Sequence, residues 1–215
     1  MPWLQLDQGS GEWLTARRGK ITGSRFKDAR EKLKGGQPSK ACLGYAMDIA
    51  RERIGGSAPS KFQNAAMRTG TEQEPFARAM YEARTGHMVD EAGFYCTDDG
   101  LFGLSPDGLI DDDGVLEIKT MVSSDTLFTA VADGDISAYV DQCHGYLWLL
   151  GRQWVDLVLW APDLGHMTIK RIDRDEDAIE ALEADLLAFA KLVTQYETTL
   201  RTAIQSTTEP ALEAA

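Results

Sequence analysis

SPDGLIDDDGVLEIKT, residues 105–120, decides how this chain is read. Pro106 precedes Asp107, and ten residues later Glu117 stands inside an apolar run with Lys119 two positions beyond it. Successive strand side chains point to opposite faces, so a strand over VLEIKT aims Glu117 and Lys119 the same way. The DDDG before it has the composition of a hairpin turn. That turn lays Asp107, on the preceding strand, beside the pair, with Leu116, Ile118 and Val115 expected to pack around them. Two carboxylates and one ammonium at one spot suit a hard divalent cation such as Mg2+. The Ile118 carbonyl is a candidate further oxygen ligand. Unpaired, such charges are costly to bury. A bare Glu-x-Lys on a strand is as readily a solvated ion pair, so the rest of the chain has to decide.

Working outward, the chain differs on the two sides of this hairpin. On the N-terminal side, SGEWLTARRGKITGSRFKDAREKL predicts a helix capped by Ser10, a break at GKITGS, and a second helix capped by Ser24. KGGQPSK (34–40) reads as a flexible loop, ACLGYAMDIARERIG (41–55) as a helix ended by glycine, and GGSAPSKFQ as a further loop. NAAMRTGTEQEPFARAMYEARTG predicts helix in two parts, with Pro75 near a helix start and Gly86 at the end. Alternation then takes over: HMVDEAGFYCTD and LFGLSPDGLID each predict one strand before VLEIKT. Beyond it, SAYVDQCHGYLWLLG (137–151) predicts an amphipathic helix, WVDLVLWAP a buried central strand and GHMTIKRID another strand. Residues 175–204 predict a long helix with Ile179, Leu182, Leu186, Phe189, Val193 and Tyr196 on its apolar face. STTEPALEAA is expected to fray, with 208–215 a flexible tail. The expected fold class is α/β: one domain over 1–215, a mixed sheet flanked by helices, with a helical N-terminal part and a long C-terminal helix.

Composition narrows the functions available. At 43% hydrophobic and 26% charged, the 215-residue chain has an ordinary globular make-up. No apolar run approaches the roughly 20 residues of a membrane helix, and MPWLQLDQGSGEW lacks the basic and apolar regions of a signal peptide. Cys42, Cys96 and Cys143 are odd in number and scattered, which predicts reduced thiols and a cytoplasmic location. Three cysteines also argue against an iron–sulfur nuclease, which needs four thiolates. The net charge of −12 argues at first against nucleic acid. Its distribution argues the other way: residues 1–70 hold 13 Lys/Arg against 6 Asp/Glu, and residues 71–215 hold 9 against 28. A basic third on an acidic body can draw a polyanion to one face. The five tryptophans, Trp3, Trp13, Trp148, Trp154 and Trp160, are expected to pack mainly in the core rather than stack on bases.

SPDGL followed by LEIK resembles the PD-(D/E)xK nuclease signature, and the string as a whole is similar to the family of phage lambda exonuclease and YqaJ-type viral recombinases. Three further stretches carry the resemblance. WLTARRGKITGS (13–24) looks like the family's N-terminal motif; the match implies that Arg17 and Ser24 bind the phosphate of a 5′ end, a role suited to a guanidinium fork and a hydroxyl. RTGTEQEPFARAMYEARTG resembles a helix with Glu followed three residues on by Ala-Arg, which implies Glu74 as an additional carboxylate near the metal, with Glu72 its rival. YVDQCHGYLWLLGR resembles the helix after the Glu-x-Lys strand, where Gln142 matches a glutamine that holds the nucleophilic water or a phosphate. His144 falls where relatives carry a second glutamine, Lys34 where they carry a basic residue near strand separation, and Ser105 near the scissile phosphate. The motifs cover about residues 10–170 in matching order. The terminal helix, the IDDDG turn and Thr120 depart from the pattern.

The resemblance implies a restriction-endonuclease-like core using one or two Mg2+ ions, with Mn2+ able to substitute. It implies an exonuclease on linear double-stranded DNA that digests the 5′ strand 5′→3′ to mononucleotides and leaves a 3′ single strand for recombination. A homotrimeric ring, a single-strand annealing recombinase as partner, and a bacterial or phage-infected cytoplasm come with it. Two other readings keep the fold: a structure-specific or restriction-type endonuclease, and a non-catalytic DNA-binding assembly protein. The intact Asp107, Glu117 and Lys119 set argues against the second.

Overall fold

The computed structural model describes residues 3–57 and 65–208. Its elements in chain order are β1 (Trp3–Leu4), α1 (Gly11–Arg17), β2 (Ile21–Thr22), α2 (Phe26–Arg30), α3 (Lys40–Arg53), α4 (Ala65–Thr85), β3 (Val89–Asp90), β4 (Phe94–Cys96), β5 (Phe102–Leu104), β6 (Gly108–Ile110), β7 (Gly114–Thr120), α5 (Ser124–Leu127), α6 (Val140–Leu150), β8 (Trp154–Ala161), β9 (His166–Asp173) and α7 (Glu176–Thr208). The strands form two mixed sheets among the described residues. The smaller has the order β1-β4-β5-β2 and the larger β3-β6-β7-β8-β9. The class is α/β, as the sequence predicts.

The pair that positions the site is β7 with β8. They run parallel, with Glu117 opposite Leu157 and Lys119 opposite Leu159. A parallel pair cannot be closed by a tight turn and needs a crossover. Here the crossover carries α6 back over the sheet. Val115 packs in the larger core with Cys143, Tyr146 and Leu147 of α6, under α3 and α7. Leu116 and Ile118 belong instead to the smaller core on the opposite face, with Ala77 and Tyr81 of α4. The expectation that all three pack around the Glu–Lys pair is corrected accordingly: strand alternation puts only Val115 on that face. Gly145 lets α6 lie close, because a Cβ there sits 2.3 Å from the Phe26 ring of α2.

Local signals set several ends. Ser10 caps α1 as expected by accepting the amide N–H of Trp13, and Ser39, not singled out in the sequence, caps α3 by accepting that of Cys42. Gly151 ends α6 at φ +67. The three aspartates 111–113 lie between β6 and β7, so they form the turn, with Asp111 at φ +46.

Elsewhere tertiary structure overrides the pattern. LFGLSPDGLID is two strands: β5 belongs to the smaller sheet and β6 to the larger. Pro106 has no N–H for a ladder bond, and the chain changes sheets there. HMVDEAGFYCTD divides in the same way into β3 and β4. Gly93 marks that crossing, where a Cβ would lie 2.2 Å from the Leu4 carbonyl oxygen. The break at GKITGS contains β2, paired parallel with β5. Ser24 does not cap α2, whose first flanking residue is Arg25 without a side-chain cap bond. Residues 65–85 form one helix with Pro75 inside it, not two parts. The flexible tail predicted over 208–215 lies outside the described residues except for Thr208, the last residue of α7. The loop expected at 55–63 is described only up to residue 57.

Candidate active site

The C-terminal end of β7 opens on a cleft of about 1200 Å3, placed as in other open α/β sheets outside the carboxyl ends of parallel strands. It brings together nine residues singled out in the sequence: Arg17, Ser24, Glu74, Ser105, Asp107, Glu117, Ile118, Lys119 and Gln142. Lys34 does not line it and sits exposed in the loop before Ser39. His144 does not line it either; its charged neighbours are Asp141, Asp175 and Arg30, and burial lowers its pKa. Glu72 is exposed on α4 outside the cleft, so of the two rival glutamates only Glu74 enters.

Glu117 is buried and engaged on both carboxylate oxygens. Lys119 Nζ lies 2.6 Å from its Oε1, and Gln142 Nε2 donates to the same oxygen at 2.8 Å. Tyr146 donates its hydroxyl to Oε2 at 2.6 Å. Lys119 also donates to Gln142 Oε1 at 3.1 Å, which closes a ring of bonds between β7 and α6. Burial lowers the Lys119 pKa, but the charges of Glu117 and Asp107 outweigh it and hold the ammonium well above its usual range. Asp107 is buried at the start of β6, where its Oδ2 accepts the Ile118 amide N–H at 2.6 Å. Desolvation, then the negative charges of Glu117 and Glu74, push its pKa well above the carboxylate range. Glu74 is likewise raised, mainly by burial.

These carboxylates meet a second basic residue. Arg78, one turn along α4, donates from Nη2 to Glu74 Oε1 at 2.8 Å and to the Asp107 carbonyl at 2.9 Å. Its Nη1 donates to Glu91 at 2.8 Å. Across the cleft, the Arg17 guanidinium stacks 4.1 Å from the Trp13 ring centroid and reaches the Ser24 hydroxyl at 3.5 Å. Burial lowers the Arg17 pKa against the pull of Tyr45, Tyr146 and Glu52. The Trp13 indole N–H donates to Ser105 Oγ at 3.2 Å, joining this side to the loop that leads into Asp107. One wall therefore offers a desolvated cation and a hydroxyl, and the other a carboxylate cluster with an ammonium.

Tyr146, Arg78 and Trp13 were not among the residues selected from sequence for the site. A helical signal existed for two of them: Tyr146 is four residues from Gln142 and Arg78 four from Glu74, which places each pair on one helix face. Trp13 was expected in the core and stands at the cleft instead.

Among the described residues, no three His, Cys, Asp or Glu side chains are grouped as ready metal ligands. The donor chemistry nevertheless fits a hard divalent cation. Asp107, Glu117 and Glu74 supply carboxylate oxygens near a backbone carbonyl, and burial, with the negative charge of Glu117, raises the pKa of both Asp107 and Glu74, a cost that a cation would offset. A soft thiophilic ion has no partner among these oxygens.

A mixed sheet with a carboxylate–lysine cluster at a strand end and an anion-suited wall opposite defines a nuclease-type site. The chain belongs to the YqaJ-like viral recombinase domain family, which it matches over residues 12–153. It is 35% identical to the alkaline exonuclease LHK-Exo of Laribacter hongkongensis, with a TM-score of 0.77 over 91% of this chain and 99% of that one. A second structure of LHK-Exo, in complex with dAMP, aligns with the same figures. A phage-related exonuclease from Haemophilus somnus 129PT shares the fold at a TM-score of 0.66 and 16% identity, over 86% of this chain and 96% of that one. No curated protein matches the chain. No helix among the described residues is long and apolar enough to cross a membrane.

Proposed function

We propose that this protein is an Mg2+-dependent exonuclease on linear double-stranded DNA. It digests the 5′ strand 5′→3′ to mononucleotides and leaves a 3′ single strand for recombination by strand annealing. The observation that carries this reading is the pairing of two walls in one cleft: Arg17 with Ser24 on one side, and Glu117, Lys119, Gln142 and Asp107 on the other. Family membership and the 35% identity to an alkaline exonuclease support it.

In this mechanism Arg17 and Ser24 hold the terminal phosphate, and Ser105 lies against the phosphate to be cut. Asp107, Glu117 and the Ile118 carbonyl would hold the metal, with Glu74 beside them. A bound Mg2+ or Mn2+ would supply acidification of water and stabilisation of charge on the phosphate. Lys119 and Gln142 hold the attacking water in line, and the Lys119 ammonium offsets negative charge as it grows on the phosphate oxygens. The protein works as a homotrimeric ring in the cytoplasm of a bacterial or phage-infected cell, handing its product to a single-strand annealing recombinase.

Digestion of duplex labelled at the 5′ or the 3′ end tests activity and polarity together. In Mg2+ the 5′ label leaves first, as mononucleotide, while the 3′ label stays in polymer. Chelation with EDTA stops release, and covalently closed circles survive. An untouched 5′-phosphorylated linear duplex refutes the reading, and cut circles favour the endonuclease alternative. Sedimentation equilibrium tests the trimer.

A further inference from the structure

We propose that Tyr146 is a positioning residue for the metal site, and that its hydroxyl fixes the carboxylate of Glu117 and the amide of Gln142 in their working orientations. The inference rests on the metal-nuclease reading above.

Tyr146 is 1% exposed, on the face of α6 that covers β7. Packing alone asks for phenylalanine there. A buried phenol instead needs hydrogen-bond partners, and in this fold the partners are two side chains of the cleft. The hydroxyl donates to Glu117 Oε2 at 2.6 Å and accepts from Gln142 Nε2 at 2.7 Å. Its remaining contact is the Ser105 carbonyl, at 3.5 Å.

Donor logic leaves the ring one arrangement. Lys119 can only donate, so it meets the Gln142 oxygen. An ionised Glu117 can only accept, so it meets the Gln142 nitrogen. The phenol spends its single proton on Glu117 and offers a lone pair to Gln142. Glu117 thus has Lys119 and Gln142 on one oxygen and Tyr146 on the other. Turning its carboxylate breaks bonds on both oxygens at once. Without the hydroxyl, Oε2 loses its tie to α6 and the carboxylate can swing about the bonds that remain. Partners of this kind behind a ligand set metal affinity by about 10–100-fold.

Tyr146→Phe removes one oxygen and keeps the ring and its packing. Mn2+ binding without DNA, read from the free-ion electron paramagnetic resonance signal, gives an affinity independent of turnover. Duplex digestion over a Mg2+ titration gives the working midpoint, and a thermal melt reports folding. The expected result is a folded variant whose Mn2+ affinity falls about 10–100-fold and whose Mg2+ midpoint rises in step. Fluorotyrosine at position 146, which retains the hydroxyl, restores both values. A folded Tyr146→Phe with wild-type metal affinity and midpoint overturns the proposal alone. An unfolded variant assigns the hydroxyl to stability and also overturns it. Wild-type protein that binds no Mn2+ and cleaves nothing overturns the nuclease reading together with this inference.

Discussion

Single residues of β7 were legible because strand geometry is local. Glu117 and Lys119 must share a face once VLEIKT is a strand, and they meet at 2.6 Å. Asp107 needed only the hairpin. Its carboxylate bonds the backbone of Ile118 rather than lying in a row with the other two. Tyr146 was missed for a different reason: its place four residues from Gln142 puts it on the same helix face, but its bond to Glu117 depends on the crossover that lays α6 on β7. Lys119→Ala is the residue-scale test. It should lower the cleavage rate about 10²–10³-fold, the usual size of one lost donor to charge growing in the transition state. Duplex binding, measured by fluorescence anisotropy, should persist. Full cleavage by this variant would show that Lys119 has been given the wrong role. Arg78→Ala, which releases Glu74 and the Asp107 carbonyl together, should weaken Mg2+ dependence about 10–100-fold in a metal titration.

At the scale of elements, the strongly periodic segments were readable and the crossings between sheets were not. β8 and α7 announce themselves by runs and stripes. LFGLSPDGLID reads as one strand because both halves are extended; only pairing in three dimensions assigns them to different sheets. Pro75 misled in the opposite direction, since α4 continues through it. Packing between elements gives two predictions. Gly145→Ala drives a methyl to within 2.3 Å of Phe26 Cε2, and should cost about 1–3 kcal/mol in urea denaturation. Asp185 on α7 accepts from Lys32 at 2.5 Å and Arg30 at 2.9 Å, and Arg30 reaches Asp141 of α6 at 2.7 Å. Although burial opposes it, these cations pull the Asp185 pKa below its usual value. A depressed folded pKa gives stability that is full above the unfolded carboxyl value near 3.9 and is lost as pH falls through the folded one. Asp185→Asn should therefore be less stable than wild type by about 1 kcal/mol at neutral pH. Thermal melts should show the gap closing in acid.

For the whole molecule, sequence showed the charge division but not the cleft that uses it. Residues 1–70 are basic and supply Arg17 and Ser24; the acidic remainder supplies the carboxylates. Binding driven by phosphate contacts falls steeply with salt. With about four such contacts, a fourfold rise in NaCl should lower duplex affinity by roughly two orders of magnitude. Anisotropy titrations at 50 and 200 mM measure it, and a flat response would remove electrostatics as the main source of affinity. The change of sheets at Ser105–Asp107 has a consequence for where DNA is cut. β5, paired with the strand that leads to Ser24, ends at Leu104, and β6 begins at Gly108. The four Cα steps from Leu104 to Gly108 span at most about 14 Å, so the linker bounds the separation of the two walls. On the proposed reading the linker is a ruler: it measures the length of backbone between the held phosphate and the broken bond. One glycine inserted after Ser105 should shift or abolish the product length while the duplex is still bound.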